Sequence, residues 1–272
     1  MPDIRSKNPT TRRLRLVIAL ALLAGALSAC REKLPPAAPT PDAAALPLWD
    51  PDPGALVVRL DTHAEHLSPA VRLNTLPPCT VWGDGRVVWT SPNPATGEDL
   101  LEARVDEATL RGFVESILAR GFATWEDDTV PPADENPVIE TITLAIYGDS
   151  RTVRRATGWP DHSYSRILDE CRRLSSAPVL VMPSAGWVSA YPITPDPALP
   201  SWMWPPGAPF TLRELAESGQ ARWLEGDLAT AIWRHARESG GAMQVLERGG
   251  QGYALAIVAP GYSREGPVST AQ

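Results

Sequence analysis

The segment CTVWGDGRVVW, residues 79–89, has two short runs of β-branched and aromatic residues on either side of an Asp-Gly turn. Asp-Gly between two such runs is among the strongest local signals for a β-hairpin. Pairing the runs about the turn predicts that one face of the hairpin holds Trp82, Val87 and Trp89. The other face, against which helices are expected to pack, then holds Cys79, Val81 and Val88.

Further strand and helix patterns surround this hairpin. Residues 55–61 alternate like a strand, and an amphipathic helix is predicted from Asp106, which can cap it, to Arg120. A second hairpin turns at Gly148 and Asp149, and a second helix places apolar residues on one stripe. Two short strands are expected at 178–182 and 186–191. Together these patterns predict one α+β domain over residues 55–191.

Seven prolines within residues 192–209 predict a linker rich in Pro and Trp, because neither a helix nor a central strand tolerates so many. A small α+β unit is expected at 210–265. It begins with a capping-box pattern at Thr211 and Glu214, continues with a helix over 227–238, and ends in a glycine-rich hairpin. Residues 266–272 are expected to be disordered. The predicted fold class is therefore α+β, with two small domains of antiparallel hairpins packed with amphipathic helices.

The first thirty residues have the parts of an export signal. Five basic residues precede an apolar run at 16–27, which is shorter than the about 20 residues of a membrane-spanning helix. The run ends in Leu27, Ser28, Ala29 and Cys30, which resembles the lipobox of bacterial lipoproteins. The resemblance implies that residues 1–29 are a signal peptide and that the Cys30 thiol receives a lipid. The alternative is an ordinary secretory signal with an incidental cysteine.

The residues after Cys30 bear on location. Residues 30–54 are expected to form a lipidated cysteine followed by a disordered Pro/Ala tether, since seven prolines and few large apolar residues leave little to bury. Arg31 stands where an aspartate would resemble the inner-membrane retention signal of diderm bacteria. We therefore expect a lipid-anchored protein of the cell envelope, at the outer membrane if the organism is diderm.

The net charge of the chain limits the classes of partner that it can bind. The chain has a net charge of -7, and its basic N-terminal segment leaves the remainder still more acidic. An acidic chain is a poor partner for nucleic acid. The expected partners are the membrane, through the lipid on Cys30, and an envelope protein or glycan.

Residues 55–176 follow the order strand, hairpin, helix, hairpin, helix, and include the motif WGDGRVVW. This order resembles domains of unknown function in bacterial lipoproteins. The resemblance implies a fold and a location but carries no activity across.

Catalytic and metal-binding patterns are weak. The chain lacks the Gly-x-Ser-x-Gly turn of an elbow-type hydrolase, and the neighbours Asp161, His162 and Ser163 are better explained by Asp161 capping a helix. His63 and His66 lack a third ligand at a recognisable spacing. The acids at 126–128 and 134–135 lack the spacing and glycine of a calcium loop and are interpreted as a solvated loop. No catalytic residue, metal or cofactor is predicted; His235, on a helical stripe, is expected to be partly buried.

The candidate ligand face consists of Trp82, Arg86 and Trp89, since an exposed aromatic pair can stack on a sugar or a peptide. The alternative is that both indoles are core. Cys79 and Cys171 are expected to face the same layer and form a disulfide, with two separate buried thiols as the alternative. We expect a non-catalytic binding or structural module. Two other hypotheses are an envelope hydrolase with an unrecognised site and an inhibitor that presents Trp202, Met203 and Trp204.

Overall fold

Two β-sheets, five α-helices and two short 3-10 helices form the part of the chain that the computed structural model describes, residues 48–128 and 135–264, which confirms the α+β class. The strands of the first sheet are β1 Leu56–Ala64, β2 Cys79–Trp82, β3 Arg86–Asn93, β4 Gly97–Arg104, β5 Val138–Ile146, β6 Asp149–Arg155 and β7 Val179–Leu180. Those of the second are β8 Ala185–Ile193, β9 Ser201–Met203, β10 Arg222–Glu225, β11 Gln244–Leu246 and β12 Gly252–Val258. The helices are α1 Pro69–Asn74, α2 Glu107–Ala119, α3 Ser163–Arg172, α4 Leu212–Ser218 and α5 Asp227–Glu238.

The first sheet is antiparallel throughout and has the order β6-β5-β1-β2-β3-β4-β7. One of its faces packs against α2 and α3 around a shared apolar core. The start of α2 is capped as predicted, because the Asp106 carboxylate accepts a hydrogen bond from the Thr109 amide at 2.7 Å. The buried stripe of α2 consists of Leu110, Phe113, Val114 and Ile117.

The second sheet has the order β10-β8-β12-β11-β9, in which only β9 and β11 pair in parallel. Helix α5 contacts this sheet on one side and β4 of the first sheet on the other. Its buried residues Ile232 and Trp233 therefore share a core with Val88 of the first sheet. On the opposite face of the second sheet, α1 packs Ala70 against β12. The capping box of α4 is present as predicted.

The boundary between the sheets differs from the predicted boundary between domains. Strand β8, which the prediction placed in the first domain, pairs with β10 and β12 of the second sheet. The described residues, 48–128 and 135–264, belong to one compact unit by their contacts. The sequence patterns identified the strand but not its partners, because those partners lie far along the chain.

Residues 192–209 are not a linker between domains. Pro192 is the penultimate residue of β8 and is registered with Tyr253 of β12. It lies beyond the stretch 185–188 that pairs with β10, so its missing amide hydrogen costs no ladder bond on the β10 side. Strand β9 pairs with β11. Trp204 is buried, and its indole N–H donates to the Phe210 carbonyl at 3.0 Å. The prolines thus fall between and at the ends of strands.

The predicted tether ends earlier than residue 54. Leu48 and Trp49 are each only 6% exposed and belong to the core of the first sheet. The Trp49 indole donates to the Gly83 carbonyl at 3.1 Å, and the Leu48 carbonyl accepts from the Tyr147 amide at 2.9 Å. The predicted signal peptide, Cys30, the remainder of the tether and the tail lie outside the described residues. Within residues 48–128 and 135–264, no helix is long and apolar enough to cross a membrane.

Candidate ligand-binding cleft

The first hairpin has a different register from the predicted one. Cys79 pairs with Trp89 and Val81 with Val87, so the loop has three residues, 83–85, rather than two. The third of these, Gly85, has φ 79°, a conformation that favours glycine. One extra loop residue moves the side chains of one strand to the other face. The predicted placement of Trp82 and Trp89 on the same face is therefore wrong.

The three residues of the predicted ligand face have internal partners. Trp89 lies in the hydrophobic core beside Cys79. On the opposite face, the Arg86 guanidinium lies 4.9 Å from the centroid of the Trp82 ring and 5.6 Å from that of Tyr262. Arg86 also forms an ion pair with Glu102 at 3.6 Å. This face is therefore occupied by the chain's own residues 261–262 and is not an open aromatic surface.

The predicted disulfide between Cys79 and Cys171 is confirmed. Both residues are fully buried, and their Cα atoms lie 6.6 Å apart, within the range that a disulfide spans. The bond joins β2 to α3, because each cysteine faces the core between the sheet and the helix.

The neighbours Asp161, His162 and Ser163 do not form a catalytic group. Asp161 and His162 are exposed and have φ 49° and 55°, and the Ser163 hydroxyl donates to the Pro160 carbonyl. The prediction that Asp161 caps the helix is wrong. The cap position of α3 is occupied by His162, whose side chain makes no capping bond.

The other suspected metal ligands are also dispersed. Among the described residues, no group of three or more His, Cys, Asp or Glu is placed to hold a metal ion. Burial lowers the pKa of His63, and the charge of Arg264 lowers it further, while His66 is exposed. Asp128 is not a solvated loop residue as predicted, because it accepts from the Thr157 amide at 2.8 Å and pairs with Arg155 at 3.1 Å. Asp134 of the same acidic stretch lies outside the described residues.

A concave site lies at the edge of the second sheet, between β9, β11 and α5. The cleft has a volume of about 350 Å³. The Trp202 ring lies 4.9 Å from the His235 ring at an interplanar angle of 37°. His235 Nδ1 lies 3.3 Å from Glu238 Oε2. The remaining lining residues are Pro200, Ser201, Ser239, Met243 and Gln244.

The surrounding structure holds these side chains in place. His235 and Glu238 stand three residues apart on α5, which puts them on the same side of the helix. Trp202 projects from β9 and meets the buried Trp204 ring edge to face at 6.0 Å. Gln244 accepts from the Asp196 amide at 2.7 Å and donates to its carbonyl at 3.1 Å. The loop that precedes β9 is thus tied to the floor of the cleft.

The cleft has the features of a binding site and not those of a nucleophilic centre. Small-ligand sites are concave and mostly apolar with a few polar groups, as this one is. The Ser239 hydroxyl donates to the Ala236 carbonyl, and within the described residues no serine hydroxyl is hydrogen-bonded to His235. Residues 201–204 do not protrude as an inhibitory loop would, because β9 is paired in the sheet.

Sequence reasoning placed Trp202 in a linker and His235 on a half-buried stripe, and did not bring them together. No local signal joins them, because the cleft forms only when β9 pairs with β11 beside α5. No protein-family model, no curated protein and no solved structure matches the chain. The case for function therefore rests on the chain's own residues.

Proposed function

We propose that the protein is a lipid-anchored lipoprotein of the bacterial cell envelope that binds a glycan, without catalysis, in the cleft between β9 and α5. The anchor is supported by the signal-like residues 1–29 and the lipobox-like sequence that ends at Cys30. Several acyl chains on one N-terminus hold a protein at a membrane durably. Arg31 favours the outer membrane if the organism is diderm.

The half-buried indole of Trp202 in a concave site with a polar rim carries this proposal. Indole faces offer a large, rigid apolar surface of the kind on which a sugar ring stacks. Around the ring, His235, Glu238 and Ser201 supply both donors and acceptors for sugar hydroxyls. Since Trp202 packs on Trp204 and Gln244 is hydrogen-bonded to Asp196, little ordering of these side chains is required when a ligand binds.

Binding of oligosaccharide fragments from purified cell wall, measured by isothermal titration calorimetry, tests the proposal. We expect Trp202→Ala to weaken binding by about tenfold, in line with the roughly 1 to 1.5 kcal/mol of an aromatic contact. Trp202→Phe, which keeps a ring, should lose less.

The matched control is Met203→Ala, on the same strand and 54% exposed but not lining the cleft. It should bind like the unaltered protein. Equal affinity of the Trp202→Ala and Met203→Ala variants, or no binding of any fragment, would contradict the glycan cleft.

A further inference from the structure

The face of the first sheet opposite α2 and α3 carries arginine and threonine side chains where β1, β5 and β6 pair. Strand alternation separates Arg59 from the buried Leu60, and the same holds across the neighbouring strands. Arg59 pairs with Thr143, and Thr143 with Thr152. One step along the sheet, Thr141 pairs with Arg154. We call this surface the arginine–threonine face: Arg59, Thr141, Thr143, Thr152 and Arg154.

Asp61, which is registered with Thr141, lies on this same face, and its ion-pair partner is Arg264 rather than Arg59 or Arg154. Arg264 Nη2 bonds Asp61 Oδ1 at 2.5 Å, and both side chains are only 10% exposed. Arg59 donates to the carbonyl of Arg264 at 3.2 Å, and its Nε is buried without a partner among the described residues. Neither Arg59 nor Arg154 forms an ion pair with a described residue.

Arg59 and Arg154 thus have no ion-pair partner among the described residues, and Asp61, the carboxylate on this face, is already paired with Arg264. For Arg59 this is costly, because a charge taken out of water without a partner loses its hydration. Burial lowers the pKa of Arg59, and Arg264 lowers it further against the opposing effect of Asp61. An anion bound here would offset that cost.

The hydroxyls beside the arginines complete a set of donors. Thr143 and Thr152 lie with their Oγ1 atoms 2.9 Å apart on the exposed part of the face. Thr141, half-buried, stands between Asp61 and Arg154 in the register. Several hydroxyls beside two guanidinium groups suit an oxyanion with several acceptor oxygens, since each N–H or O–H to a charged oxygen is a strong hydrogen bond.

We propose that the arginine–threonine face binds a phosphate group, either of a lipid headgroup or of a soluble phosphorylated ligand. Arginine is favoured at sites that bind phosphate in a defined orientation, because its planar guanidinium group can donate two parallel hydrogen bonds. The site lies on the other sheet from the glycan cleft and does not depend on it.

Inorganic phosphate and lipid vesicles, each added to the purified full chain, test this site. Phosphate should raise the melting temperature saturably above that in sodium chloride of equal ionic strength. Arg59→Gln and Arg154→Gln should each weaken binding by about tenfold, as expected for loss of a charge-assisted hydrogen bond. Arg154 is exposed, so its variant tests the site even if Arg59→Gln does not fold.

Arg213→Gln is the matched control, because Arg213 is an exposed arginine at the start of α4, away from this face. Vesicles of phosphatidylglycerol are compared with vesicles of phosphatidylcholine. If Arg154→Gln loses binding to vesicles but not to inorganic phosphate, the ligand is a lipid headgroup. If the variant loses binding to inorganic phosphate as well, the ligand is a soluble phosphate group.

One result would overturn the proposal: the Arg154 and Arg213 variants respond alike to phosphate and to vesicles.

Discussion

Trp82 and Trp89 belong to the same hairpin, yet their surroundings differ. Trp89 is 3% exposed and packs in the core with Cys79. Trp82 is partly exposed and lies against the Arg86 guanidinium, with its indole nitrogen unpartnered among the described residues. Cation–π contact at such a half-buried place is worth about 1 to 2 kcal/mol, less than full burial of an indole.

Truncation of the two tryptophans should therefore have unequal costs. We expect Trp89→Ala to lower the free energy of unfolding by about 3 to 5 kcal/mol, as for large aromatics in cores. Trp82→Ala should cost about 1 to 2 kcal/mol, because it removes a partly exposed ring and one cation–π contact. Urea denaturation followed by circular dichroism measures both. Equal losses of unfolding free energy would show that Cys79 does not pair with Trp89 in the hairpin.

At the scale of helices and strands, local signals located most elements but not their partners. The Asp-Gly hairpin, the Asp106-capped helix and the capping box at Thr211 depend on residues close in sequence, and all three are present. The pairing of β1 with β5 and of β9 with β11 depends on contacts between distant segments. Such pairing follows from which apolar faces meet, which periodicity alone does not specify.

The same difference explains why the cleft was missed. Trp202 and His235 were each noticed for local reasons, as part of a Pro/Trp-rich segment and as a helical-stripe residue. Their contact requires a strand within a segment of seven prolines to join the sheet edge. The proline content of that segment predicts a linker, because a count of prolines does not distinguish prolines between strands from prolines within them.

The disulfide is an element-scale feature, because it ties β2 to α3 across 92 residues. In the chain-entropy model, closing a loop of that length stabilises the fold by roughly 4 to 5 kcal/mol. We expect Cys79→Ala with Cys171→Ala to lower the free energy of unfolding by about that amount, and a reducing agent to have a similar effect on the unaltered chain but none on the double variant. Thiol labelling of the oxidised, unfolded protein is the direct check. Two free thiols besides Cys30 would refute the bond.

At the scale of the whole molecule, the folded unit contains both proposed sites on different sheets. The two sheets share a core through α5, whose residue Trp233 packs with Val88 and Leu255. The cleft lies at the edge of the second sheet, while the arginine–threonine face lies on the first. One anchored unit would therefore present a glycan site and a phosphate site at the same time.

The anchor itself is the last prediction. Residues 31–47 stand in the sequence between Cys30 and Leu48, the first described residue. If, as proposed, a lipid on Cys30 and not the short apolar run holds the protein at the membrane, Cys30→Ser should leave it uncleaved, or soluble and without lipid. Membrane fractionation and mass spectrometry of the mature N-terminus measure this.

The control is the double variant Cys79→Ala with Cys171→Ala, which changes the other two cysteines of the chain and leaves the lipobox intact. It should be lipidated and remain in the membrane fraction, so that loss of the membrane fraction in Cys30→Ser is assigned to the lipid and not to the loss of a thiol. An unmodified N-terminal peptide of the unaltered protein that starts at any residue other than Cys30 would end the lipoprotein proposal. The glycan cleft and the phosphate site would survive that result, because both are argued from residues of the folded unit alone.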